Sequence, residues 1–148
     1  MSEQDISTKQ AIIDKYSTDA KRLIPYLTWF EAKKGADVSG IYEGEPGMKS
    51  MPVTTYDSTL LEFVKLAKST VFMDKNYPYV YTRNHIRSHE DELRLIENAR
   101  LTDIQELVGI LSKYVMEGMR RSSSWVDAVD AGIFLAILRK LKLFFERT

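Results

Sequence analysis

No cysteine occurs in this chain of 148 residues, which excludes disulfides, zinc–thiolate centres and thiol nucleophiles together. An excess of either charge is missing too. The 21 basic and 21 acidic side chains balance, leaving no overall field to draw the chain to nucleic acid or an anionic membrane, so neither DNA nor a membrane is an expected partner. The longest apolar run, Ile133 to Leu138, falls far short of the roughly 20 residues that cross a bilayer. Met1-Ser2-Glu3-Gln4-Asp5 lacks the apolar stretch of an export signal, and the expected compartment is the cytoplasm. Enzyme signatures are equally scarce. There is no G-x-S-x-G elbow and no H-E-x-x-H pair, and Gly44-Glu45-Pro46-Gly47-Met48-Lys49-Ser50 breaks the spacing of a phosphate-binding loop. The expectation is a protein with no cofactor and no catalytic residues.

What is present is apolar material in helical periods. The hydrophobic fraction of 44% suffices for one core, and residues 1–148 are expected to form one all-α domain of five to six helices, with residues 1–5 flexible. Its organising element is expected to be a C-terminal helical hairpin. One arm starts at Thr102, capped with Gln105, and carries Ile104, Leu107, Val108, Leu111, Tyr114 and Val115 on one face. The other starts at Ser124 and runs unbroken through Val126, Val129, Ile133, Ile137, Leu141 and Phe144, with a second row of Phe134, Leu138 and Phe145. Gly118, Arg120, Arg121 and Ser122 to Ser124 make the break between them.

Upstream, a short helix over residues 6–16 precedes a second, capped by Ser17 or Thr18 and running to about Lys34, either kinked at Pro25 or restarting at Ile24 with proline in its first turn. Residues 35–56 hold Gly35, Gly40, Gly44, Gly47, Pro46 and Pro52 and read as a long loop or lid. Ile41-Tyr42 and Met51-Pro52-Val53-Thr54 could pair there as a small hairpin. Asp57 or Ser58 opens a helix with Leu60, Leu61, Phe63, Val64 and Ala67 inward, and Ser88 with Asp91 caps another over residues 90–99.

Functional side chains are densest from Tyr77 to His89, where three tyrosines, two arginines and both histidines fall together. Tyrosine rings stack on flat ligands, and the arginine fork matches phosphate or carboxylate. Tyr79, Tyr81, Arg83, Arg87 and His89 are therefore the candidate binding residues for a small anionic, nucleotide-like or phosphorylated ligand. The competing reading places Tyr79 and Tyr81 on the core side of an extended segment and pairs the arginines with Glu90, Asp91 or Glu92. His85 and His89 have the spacing of two metal ligands on one helical face, but a helix capped at Ser88 leaves His85 outside it, so no metal is expected. A helix-turn-helix over residues 90–115 would present Asp103 and Glu106 to phosphates, which argues against DNA.

Lys15 to Tyr26, Tyr56-Asp57-Ser58-Thr59-Leu60, Tyr79-Val80-Tyr81-Thr82-Arg83, His89-Glu90-Asp91-Glu92 and Gly109-Ile110-Leu111-Ser112-Lys113-Tyr114 span nearly the whole chain. Across them it resembles a family of small uncharacterised helical bacterial proteins, often carried on mobile elements. The resemblance implies no activity and no residue roles. It does imply an alternative function, counter-defence by inhibiting a host protein or sequestering a signalling nucleotide. Two further alternatives remain open. One is a protein–protein module or homodimer using exposed Met116, Met119 and Trp125, and the other is a phosphoester-directed enzyme depending on His85 or His89.

Overall fold

A computed structural model describes residues 3–33, 39–42, 53–56, 58–121 and 123–146. The first helix, α1 (Glu3–Leu23), runs straight through Ser17 and Thr18. The expected cap there does not form, because Tyr16, Ala20 and Leu23 continue one buried row across it. The break comes at Pro25, in a 3-10 turn over Ile24–Tyr26, where proline has no N–H to give and its ring displaces the carbonyl of the preceding turn. After it, α2 (Leu27–Lys33) carries Phe30 into the core.

Strands β1 (Ser39–Tyr42) and β2 (Val53–Tyr56) pair antiparallel, Ile41 opposite Thr54 and Tyr42 opposite Val53. The remainder of the expected loop or lid lies outside the described residues. Helix α3 (Ser58–Lys68) buries Leu60, Phe63, Val64 and Ala67 of the row read from the sequence, but Leu61, expected inward with them, is 41% exposed, because it stands one residue round the helix from Leu60.

The aromatic stretch is helical rather than extended: α4 (Tyr77–Arg83) carries Pro78 in its first turn, where the missing N–H costs no hydrogen bond. Helix α5 (His89–Asn98) follows, its cap formed by Ser88 Oγ accepting from Asp91 N–H at 3.1 Å. Ahead of α6 (Ile104–Gly118), the Asp103 carboxylate reaches back to Arg100 N–H at 2.9 Å. That bond replaces the expected Thr102–Gln105 cap, and Gln105 donates instead to the Tyr16 hydroxyl at 2.9 Å.

The last arm is two helices, not one. Helix α7 (Ser123–Asp130) ends at Gly132, whose φ of 73° is the left-handed conformation that closes a helix, and α8 (Ile133–Phe145) starts again from it. The periodic row hides the break because it resumes in phase. Helix α7 packs on α6, whereas α8 packs on α1, α2, α5 and α7, so the expected simple hairpin is replaced by a turn of the last helix into the core.

Aromatic contacts hold this centre. Phe30, Phe63 and Phe134 meet pairwise with centroids 4.9, 5.2 and 5.6 Å apart, joining α2, α3 and α8. Each buried ring contributes on the order of 1.5–3 kcal/mol. Tyr114 from α6 meets Phe134 edge-on at 6.2 Å.

Two glycines allow close approaches. A Cβ on Gly118 would fall 1.8 Å from the Trp125 indole nitrogen, and Trp125 is only 8% exposed, so it is a packing residue and not the exposed contact expected of it. A Cβ on Gly109 would fall 2.4 Å from Val80 Cγ2, which makes Gly109 the seat of α4 on α6. Gly109→Ala should therefore cost about 1–3 kcal/mol in urea denaturation despite alanine's better helix propensity. Adding Val80→Ala should relieve part of that loss, so that the double variant is more stable than the sum of the single effects. Strict additivity would refute the close contact.

Candidate functional site

Three local devices bring α4, α5 and α6 together. Ser112, fully buried on α6, donates to Phe72 C=O at 2.9 Å and accepts from Asp74 N–H at 2.8 Å, holding the turn that leads into α4. Asp19 of α1 holds the same turn by accepting from Val71 N–H at 2.9 Å. At the far end of α4 the chain reverses at His85, whose φ is 53°. Ile86 N–H returns to Tyr81 C=O at 3.0 Å and His85 N–H to Thr82 C=O at 3.3 Å, the paired bonds of a left-handed helix stop. His85 thus sits where glycine is usual, a strained position for a side chain.

The result is a buried carboxyl group ringed by donors. Glu92, in the first turn of α5, is 2% exposed. Its Oε1 accepts from the Tyr114 hydroxyl at 2.7 Å and lies 2.8 Å from His89 Nδ1. Its Oε2 accepts from the Tyr81 hydroxyl and lies 3.9 Å from Lys113 Nζ. Lys113 also sits over the rings of Tyr81 and Tyr114, 4.7 and 4.9 Å from their centroids. An isolated carboxylate this deep would be severely destabilising, so the partners are what allow it.

Above this cluster lies an open hollow of about 390 Å³ lined by Tyr81, Ile86, Arg87, Ser88, His89, Glu92 and Lys113. Of the five candidate binding residues, Tyr81, Arg87 and His89 line it. The other two lie outside its lining. Tyr79 is 70% exposed on the outer side of α4, since helical geometry turns Tyr79 and Tyr81 to different faces where an extended strand would have aligned them. The Arg83 guanidinium is engaged by Glu106 of α6 at 2.9 Å, with Asn84 on the other carboxylate oxygen. Arg87, by contrast, makes no side-chain hydrogen bond or ion pair among the described residues; only its backbone N–H is used, donating to Asp91 at 3.0 Å.

The sequence reading missed Lys113 and gave Glu92 and Tyr114 other duties, as an arginine partner and a core residue. Nothing local marks them, because Tyr114 meets Glu92 across 22 residues. The histidines diverge: His89 faces Glu92, and His85 lines a separate hollow with Asn84, Asp91 and Arg94. Among the described residues no group of three or more His, Asp or Glu side chains could hold a metal, and no helix is long and apolar enough to cross a membrane.

The fold and site define a helical protein with a polar hollow between α4, α5 and α6. Residues 16–147 match a family of unknown function, DUF6508, and the chain belongs to that family. No curated protein and no solved structure matches it.

Burial, with the hydrogen bond to Glu92 and its charge behind it, pushes the hydroxyls of both Tyr81 and Tyr114 well above their ordinary value of 10.0. The unfolded chain ionises first, so the stability these tyrosines contribute is complete below about pH 10 and is lost progressively above it. In an alkaline titration, phenolate absorbance from Tyr81 and Tyr114 should appear only as the helical circular dichroism disappears. Each Tyr→Phe variant should be less stable at neutral pH by about 1–3 kcal/mol, and should lose less than the parent on going to about pH 11. Ionisation of all the tyrosines in the folded state would contradict the arrangement.

Proposed function

We propose that this protein is a non-enzymatic binding protein for a small anionic, phosphorylated or nucleotide-like ligand, taken in the hollow between α4, α5 and α6. The observation that carries the reading is that the Arg87 guanidinium, unpaired among the described residues, and the Lys113 ammonium line one 390 Å³ hollow. Arginine presents a planar fork to phosphate or carboxylate, and lysine a point charge. Tyr81 and Ile86 supply apolar wall for the remainder of the ligand. Tyr79 and Arg83 have no part in it. A counter-defence role through capture of a signalling nucleotide is one form this binding would take.

A second reading has its own observation. Leu143 is 70% exposed at a groove of about 360 Å³ between α5 and α8, lined by Leu93, Ile96 and Ala136 together with Glu97, Arg139 and Lys140, and Met119 is 52% exposed. These suit a protein partner or a second copy, and Leu143→Asp would dissociate a dimer built there.

The test is a thermal-shift panel of inorganic phosphate, sugar phosphates, nucleotides and cyclic dinucleotides. A ligand at 100 times its Kd should add about 2.7 kcal/mol, which for a chain of this size raises Tm by roughly 5–10 °C. Arg87→Ala and Lys113→Ala should each abolish most of that shift, whereas Arg83→Ala should leave it intact. A flat panel would sink the anion reading and favour the groove.

A further inference from the structure

The hollow is lined by one imidazole, and its neighbours determine what a proton on it does. His89 Nδ1 lies 2.8 Å from Glu92 Oε1 and 3.0 Å from the Tyr114 hydroxyl oxygen. Tyr114 gives its own proton to Glu92 Oε1, so its oxygen is left to accept, and both contacts call for the imidazole proton on Nδ1. The titrating lone pair is then on Nε2, at the other edge of a side chain that is 52% exposed.

The groups facing this imidazole are Glu92 from its own helix, Lys113 and Tyr114 from α6, Tyr81 from α4 and Arg87 from the segment before α5. Every contact that Glu92 makes is with a donor, so it counts as a carboxylate. With neutral imidazole, Arg87 and Lys113 against Glu92 leave one net positive charge at the hollow. With imidazolium there are two, matching a phosphate monoester dianion. Its three terminal oxygens would also find three cationic donors: the Arg87 fork, the Lys113 ammonium and Nε2–H. A phosphodiester, with one charge and two blocked oxygens, would leave one of these donors unmatched.

We propose that the hollow takes the terminal phosphate of a phosphate monoester, and that binding is coupled to uptake of one solvent proton by His89 Nε2, with Glu92 as the buried counter-charge. This rests on the anion-binding reading above. The bound dianion and the carboxylate flank the imidazolium from opposite edges of the ring, so the ligand and the proton each favour the other's binding.

The experiment is calorimetric titration with adenosine 5′-monophosphate between about pH 7 and 8.5, where the ester is already dianionic, in two buffers of different ionisation enthalpy. Proton uptake approaching one per ligand is expected, with affinity falling by up to about tenfold per pH unit. His89→Gln should bind more weakly and with no pH dependence over that range. Cyclic di-adenosine monophosphate, a diester, should bind at least about tenfold more weakly than the monoester, the equivalent of one lost charge-assisted contact. Monoester binding without proton uptake, or with pH dependence that survives His89→Gln, would overturn the coupling while leaving the anion site standing. Diester binding as tight as monoester binding would overturn the ligand assignment. Binding of neither probe would overturn the site itself.

Discussion

The arrangement of α4, α5 and α6 depends on one constraint, the burial of the Glu92 carboxyl group. An acidic side chain in the first turn of a helix ordinarily points to water, where it complements the helix dipole at little cost. Here it points inward at 2% exposure, and removal from water must be offset by donors from three helices. Tyr81 supplies one from α4, Tyr114 and Lys113 supply two from α6, and His89 supplies one from α5 itself. Each donor is useful only if its helix is in register, so the carboxyl group ties the positions of all three.

Tyr114 joins this polar cluster to the apolar interior. Its ring meets Phe134, and through it the cluster of Phe30 and Phe63, while its hydroxyl reaches Glu92. The side chain is amphipathic in the way such a junction needs: one end apolar, the other a donor. Helix α4 has few buried side chains of its own, Val80 being the one fully inside, and its place is set from outside by Gly109, Ser112 and the Arg83–Glu106 pair. Arg83 therefore spends its charge on holding the wall of the hollow, which leaves Arg87 as the guanidinium with capacity to meet a ligand.

Much of the fold could be read in advance where the signal was local. The Ser88–Asp91 cap, the break at Pro25 and the buried row of α6 all rest on interactions within a few residues and appear as read, as does the row of α3 except for the exposed Leu61. The misreadings share one origin, a local pattern compatible with two backbones. Ser17 and Thr18 can cap a helix or ride inside one, and the row of α1 settles it. Gly132 can sit in a helix at a modest propensity cost or close it, and packing of α8 on α1, α2 and α5 selects closure. Residues 77–83 can be strand or helix; the competing extended reading put Tyr79 and Tyr81 together on the core side, and the helix separates them.

Sequence alone determined that the chain is helical, lacks thiol chemistry and any long apolar run, and gathers three tyrosines, two arginines and both histidines between Tyr77 and His89. Those properties follow from composition and short-range periodicity, which do not depend on where distant residues fall. Which of those side chains share a hollow was decided only by tertiary structure. Arg83 and Arg87 are chemically equivalent and four residues apart, but Glu106 is within reach of one and not the other. The partner that distinguishes them, Glu106, lies on α6, which packs against α4 across Gly109.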